Sequence, residues 1–168
     1  MTDPLTILPP DLSNTSTSTL IAWLGAIQST LTSRNSGGIR AVLLTEEIPL
    51  KIILLVDDEK AVTDLLQVIL SIGYEIVIAR GSSAALKAVE IKTPDIALID
   101  WVLGDESGAP LCYELHRLFP DMPIIILSGY RISLKEAQEV GAVQVIDKPY
   151  SPIVLIDEIE KLLGGGVE

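Results

Sequence analysis

The chain has 168 residues, 48% of them hydrophobic against 21% charged, with a mean hydropathy of +0.45, which excludes the disordered class and fits one globular domain with an extension. A formal net charge of −11 excludes a basic nucleic-acid face and disfavours contact with an anionic membrane surface. The single cysteine, Cys112, cannot form an internal disulfide, and with neither a signal peptide nor an anchoring stretch in view a cytoplasmic location is expected.

In chain order, residues 1–50 differ from the rest. Pro9-Pro10, a Ser/Thr-rich run over 13–19 and Asn35-Ser36-Gly37-Gly38 read as linkers. Between them Leu20, Trp23, Leu24, Ile27 and Leu31 recur at helical spacing and predict one amphipathic helix over about 18–33. Its apolar stripe needs a partner, either the chain's own body or a second molecule.

From Lys51 the pattern becomes regular. Strands are expected at 52–56, 75–79, 96–99, 124–127 and 143–146, and most are too apolar throughout for a sheet with one wet face, so a parallel sheet covered on both sides is predicted. Helices are expected at about 59–72, 82–91, 109–118, 134–140 and 151–163, each with apolar residues three and four apart. Five βα units over 51–163 predict a doubly wound α/β domain, a five-stranded parallel sheet of the flavodoxin-like kind, followed by a Gly-rich tail at 164–168. In such sheets ligands bind outside the carboxyl ends of the strands. No Gly-rich phosphate loop is present, which removes the usual support for a nucleotide site.

The expected strand ends carry chemistry. Asp57, Asp58 and Glu59 follow the first strand, Asp100 the third, Ser128 and Gly129 the fourth, and Lys148 and Pro149 the fifth. Taken singly each has an ordinary role: Asp58 as a helix cap, Ser128 in a turn, Lys148 as a solvated surface charge. Together, after four different strands, they make a site if the sheet order gathers those strands. Two carboxylates about 4 Å apart at an effective dielectric near 20 repel by about 4 kcal/mol, so Asp57, Asp58 and Asp100 need a positive partner. Lys148 is one, and hard carboxylate oxygens suit Mg²⁺ as another. A metal, an acceptor oxygen and groups for a transferred phosphoryl suit phosphoryl transfer, with Asp100 as acceptor.

These stretches resemble the receiver domains of bacterial two-component response regulators. The resemblance lies in Ile53-Leu54-Leu55-Val56-Asp57-Asp58-Glu59, Pro94-Asp95-Ile96-Ala97-Leu98-Ile99-Asp100, Ile124-Ile125-Ile126-Leu127-Ser128-Gly129 and Ile146-Asp147-Lys148-Pro149-Tyr150, and covers about two-thirds of the chain. It implies a phosphoacceptor role for Asp100, with Mg²⁺ (or Mn²⁺) held by Asp58 directly, by Asp57 commonly through water, by Asp100 and by the backbone carbonyl of Val102. It implies that Ser128 engages the phosphoryl group on switching, that Lys148 pairs with it, and that a cis peptide precedes Pro149. The implied donor is a sensor histidine kinase or a phosphotransfer protein, and the implied output a docking face made by the fourth helix, fifth strand and fifth helix, near residues 130–140 and 143–163. That face, or the N-terminal helix, is where a dimer would form.

The chain departs from the family pattern at Val145, where an aromatic ring is usual, and at Leu103-Gly104, where many members have a residue followed by proline; a looser loop after Asp100 is expected there. Val102 and Tyr130 flank the acceptor and bear on how fast water reaches it. The sole histidine, His116, reads as a surface residue, and with no output domain recognisable a stand-alone receiver acting on an unknown downstream protein is expected. The rival readings are a docking adaptor indifferent to phosphorylation and a metal-dependent phosphatase, which would lack a substrate loop or cap insertion.

Overall fold

The computed structural model of the chain describes residues 49–164. In order they form β1 (Lys51–Val56), α1 (Lys60–Leu70), β2 (Tyr74–Ala79), α2 (Ser82–Ile91), β3 (Ile96–Asp100), β4 (Val102–Leu103), β5 (Glu106–Ser107), α3 (Ala109–Leu118), β6 (Ile124–Ser128), α4 (Leu134–Glu139), β7 (Gln144–Asp147) and α5 (Pro152–Leu163). The helix expected over 18–33 lies outside the described residues. No described helix is long and apolar enough to cross a membrane.

Five parallel strands run in the order β2-β1-β3-β6-β7. Their apolar runs explain the arrangement. Residues 53–56 of β1 and all of β3 and β6 are buried, which only a sheet with helices on both faces allows. Leu54, Val56, Ala97, Ile99, Ile124 and Ile126 meet Leu111, Cys112 and Leu115 of α3 in one core cluster. Burial pushes the Cys112 thiol up to about 12, so it is protonated and unreactive at neutral pH.

Two differences from the sequence reading bear on the site. The strands at its centre run one residue further than expected, so Asp100 and Ser128 are the last residues of β3 and β6 and inherit the rigidity of the sheet. The loop expected to be loose after Asp100 is instead an antiparallel hairpin, with Val102 opposite Ser107 and Leu103 opposite Glu106. Its two-residue turn, Gly104-Asp105, has Gly104 at φ 64°, the first-position glycine that tight hairpin turns of the II′ kind require.

Candidate functional site

The strand order sets β1, β3, β6 and β7 side by side, so the residues at their carboxyl ends share one rim of the sheet. Asp57 is fully buried at the end of β1; its Oδ1 accepts from the Glu59 N–H at 2.8 Å and its Oδ2 from Lys148 Nζ at 3.0 Å. Asp100, 8% exposed, accepts from the same ammonium at 2.9 Å through Oδ2, while its Oδ1 takes the Val102 N–H at 3.3 Å. Asp58 is exposed, and one carboxylate oxygen from each of Asp57, Asp58 and Asp100 lies within 4.8 Å of the others.

Lys148 reaches this position from the far side of Ser128. Its N–H donates to the Ser128 carbonyl at 2.6 Å, and the peptide that follows, Lys148–Pro149, is cis, as the resemblance implies. The Ser128 side chain is buried but turned to its own loop: the hydroxyl donates to the Tyr130 carbonyl at 2.9 Å and accepts from the Tyr130 N–H at 3.0 Å. Ser128 thus stands beside the acid pocket with its hydroxyl engaged elsewhere. Val145 packs against the core cluster, and both Val102 and Tyr130 are exposed at the rim.

The electrostatics follow from one ammonium among three carboxylates. Burial raises the pKa of Asp57 above the usual carboxylate range even though Lys148 and the Glu59 N–H pull it down. Burial works against the charged form of Lys148, but its hydrogen bonds to Asp100 and Asp57 and their charges more than offset this and hold it above the ordinary lysine value. Tyr150 closes the motif that follows the last strand. Its phenol is pushed well above the usual range by burial and by the charges of Asp57 and Asp100, so it stays neutral. One glycine has a role that the sequence pattern did not show. Gly108 is needed for space rather than dihedral freedom, since at φ −71° a Cβ there would still meet the Asp100 carbonyl oxygen at 2.3 Å. The signal for Gly108 was its closeness in sequence to Asp100.

Hard oxygen donors, one of them exposed and unengaged among the described residues, with the Lys148 ammonium shared between the other two, fit a divalent ion of the Mg²⁺ type.

A parallel sheet ordered 2-1-3-4-5, ignoring the small hairpin, with an aspartate triad and a lysine at its carboxyl rim defines a receiver. The model of the response regulator receiver domain family matches residues 53–160, and the chain belongs to that family. It is 36% identical over 118 residues to the phosphate regulon transcriptional regulatory protein PhoB of Pseudomonas aeruginosa, covering 67% of this chain and 52% of that one. To the alkaline phosphatase synthesis transcriptional regulatory protein PhoP of Bacillus subtilis it is 33% identical over 105 residues, 61% of this chain and 44% of that one. The chain thus spans about half the length of the curated relatives it matches. Among solved structures it is similar to a CheY-like receiver domain protein from Methanospirillum hungatei, with 36% identity, a TM-score of 0.64 and coverage of 68% of this chain and 94% of that one. It is also similar to the response regulator TrrA of Thermotoga maritima, solved in complex with Mg²⁺-BeF, at 30% identity, a TM-score of 0.62 and coverage of 68% and 100%. The chain is therefore a receiver domain homologous to response regulators of two-component systems, a family whose members are not metabolic enzymes.

Proposed function

We propose that Asp100 is the phosphoacceptor of this receiver, which occupies 51–163 between an N-terminal extension (1–50) and a short Gly-rich tail (164–168), and that it works in the cytoplasm. The observation that carries the reading is Lys148 bridging Asp57 and Asp100 at 3.0 and 2.9 Å beside Asp58, which has no partner among the described residues. An Asp100 carboxylate oxygen attacks the phosphorus of a phosphohistidine on a sensor kinase or phosphotransfer protein, or of a small acyl phosphate. A new O–P bond forms as the N–P or O–P bond to the donor breaks, and the electron pair leaves with the donor's imidazole or carboxylate. Mg²⁺ or Mn²⁺, held by Asp58, Asp57, Asp100 and the Val102 carbonyl, would neutralise charge on the phosphoryl oxygens. Lys148 sits within reach to pair with the incoming group, and the receiver in this way catalyses its own modification.

Phosphorylation adds roughly −1.5 to −2 charge and three acceptor oxygens at the end of β3. To donate to them, the Ser128 hydroxyl has to give up its bond to the Tyr130 carbonyl, which ties the modification to the loop leading into α4. That loop, with α4, β7 and α5, forms the face through which a downstream protein would read the signal.

The test is intact mass after incubation with a small acyl phosphate, comparing wild type with Asp100→Asn and with a chelated control. A single phosphoryl adduct on metal-loaded wild type alone is expected. An adduct that persists in Asp100→Asn would move the acceptor elsewhere. A wild type that binds its partner equally in modified and unmodified forms would make the chain a docking adaptor indifferent to phosphorylation.

A further inference from the structure

Gly104 occupies the place where many receivers have proline, at φ 64°, a conformation closed to proline, whose ring fixes φ near about −65°. The turn it opens is held from several sides. Leu103 is buried in the core, the Trp101 carbonyl accepts from the Gly108 N–H at 2.8 Å, and the Trp101 N–H donates to the Leu127 carbonyl at 2.9 Å. The turn is thus a fixed wall at the rim of the site.

What faces that wall is Asp58. Asp57 and Asp100 are each held by a backbone N–H and by Lys148, whereas Asp58 makes no hydrogen bond or ion pair among the described residues. A Cβ at position 104 would stand 3.9 Å from Asp58 Oδ2, with no other atom of the described residues beyond its chain neighbours within 4 Å. The glycine leaves a gap about the size of a methyl group between a pinned turn and the one unanchored carboxylate.

We propose that Gly104 is a positioning residue of the metal site: by lacking a side chain it keeps the hairpin side of Asp58 hydrated and lets that carboxylate turn toward a divalent ion. The inference rests on the reading of Asp58 as a metal ligand. It acts through Asp58 alone, since a Cβ at 104 meets neither Asp57 nor Asp100. Mg²⁺ keeps several waters and sheds them reluctantly, so a side chain that displaces water from Oδ2 or pins the carboxylate lowers affinity without altering the ligand set.

The experiment is calorimetric titration of the full chain with MgCl₂ for wild type, Gly104→Ala and Gly104→Asn, alongside thermal unfolding of each in chelator. Asparagine tolerates positive φ better than alanine, so the expected order of metal-free stability is wild type, then Asn, then Ala. Affinity is expected to fall about tenfold in both variants and at least as far in Asn, whose longer side chain fills more of the gap. Affinity that follows the stability order, with Ala the weakest binder, or that stays unchanged, would overturn the proposal. A wild type that fails to bind Mg²⁺ would instead remove the site reading on which it stands.

Discussion

At the residue scale the site is short of positive charge. Asp57 is wholly buried and its pKa is raised, which means that burial outweighs the help of Lys148 and that the neutral form fits the metal-free fold better than the ionised one. The sign follows: a carboxyl with a raised folded-state pKa contributes stability that is present below its unfolded value and lost as pH rises through the folded value. In chelator, wild type is therefore expected to lose stability relative to Asp57→Asn as pH rises from about 4 through that raised value. At pH 7 the Asn variant is expected to be the more stable by on the order of 1 kcal/mol. Urea unfolding of both from pH 4.5 to 8 checks this, and an Asn variant that is less stable at neutral pH would mean that the pairing with Lys148 dominates. Asp57, Asp58, Asp100 and Ser128 were legible from the letters because they end runs of buried aliphatics, and Lys148 because it follows the last short strand, Gln144–Asp147, ahead of Pro149. The direction of the Ser128 hydroxyl was not, since it depends on a bond to the backbone of Tyr130 that no side-chain pattern encodes.

At the element scale apolar periodicity fixed what each segment is, and turn chemistry fixed where it stops. Helices α2 and α3 end where the spacing says, whereas α4 begins at a capping box that the sequence Ser133-Leu134-Lys135-Glu136 already carries: the Ser133 hydroxyl accepts from the Glu136 N–H and the Glu136 carboxylate from the Ser133 N–H. The β4–β5 hairpin was missed because strands of two residues show no periodicity, although Gly-Asp between them is a turn signal. Gly141, joining α4 to β7, is where an element boundary is least replaceable. It stands at φ 87°, and a Cβ there would lie 2.4 Å from Cβ and Cγ of His116 in the last turn of α3. Left-handed strain alone costs roughly 1–2 kcal/mol, and the contact with a helix side chain adds to it. Gly141→Ala is expected to cost about 2 kcal/mol or more by chemical denaturation, whereas Gly73→Ala, with negative φ and open space around it, is expected to stay within about 0.5 kcal/mol of wild type. Equal losses in the two would refute the steric argument.

At the scale of the whole molecule the sheet links the acidic rim to its edge at β7. Asp100 ends β3, Ser128 ends the neighbouring β6, and Lys148 follows β7 at the sheet's edge, so a change at Asp100 would pass through hydrogen-bonded neighbours toward α4 and α5. The edge strand is lightly covered. A groove of about 390 Å³ runs between β7 and α5, lined by Val145, Ile146, Pro149, Tyr150 and Val154 among others, and the Val145 N–H is satisfied only locally by the Gln144 side chain, itself tied to Glu158 of α5 at 3.0 Å. Val145 stands where an aromatic ring is usual in the family, so rearrangement is expected instead in the backbone of residues 128–130 and at the Gln144–Glu158 link. Hydrogen exchange before and after phosphorylation is expected to change at the amides of Gly129, Tyr130 and Val145 and along α4, while α1 and β2 at the opposite edge stay as they were. Asp100→Asn treated in the same way is expected to change nowhere. Exchange that shifts evenly across the whole sheet would indicate general stabilisation by the added group, and exchange that shifts only at residues 100–108 would mean the signal is read at the acceptor itself.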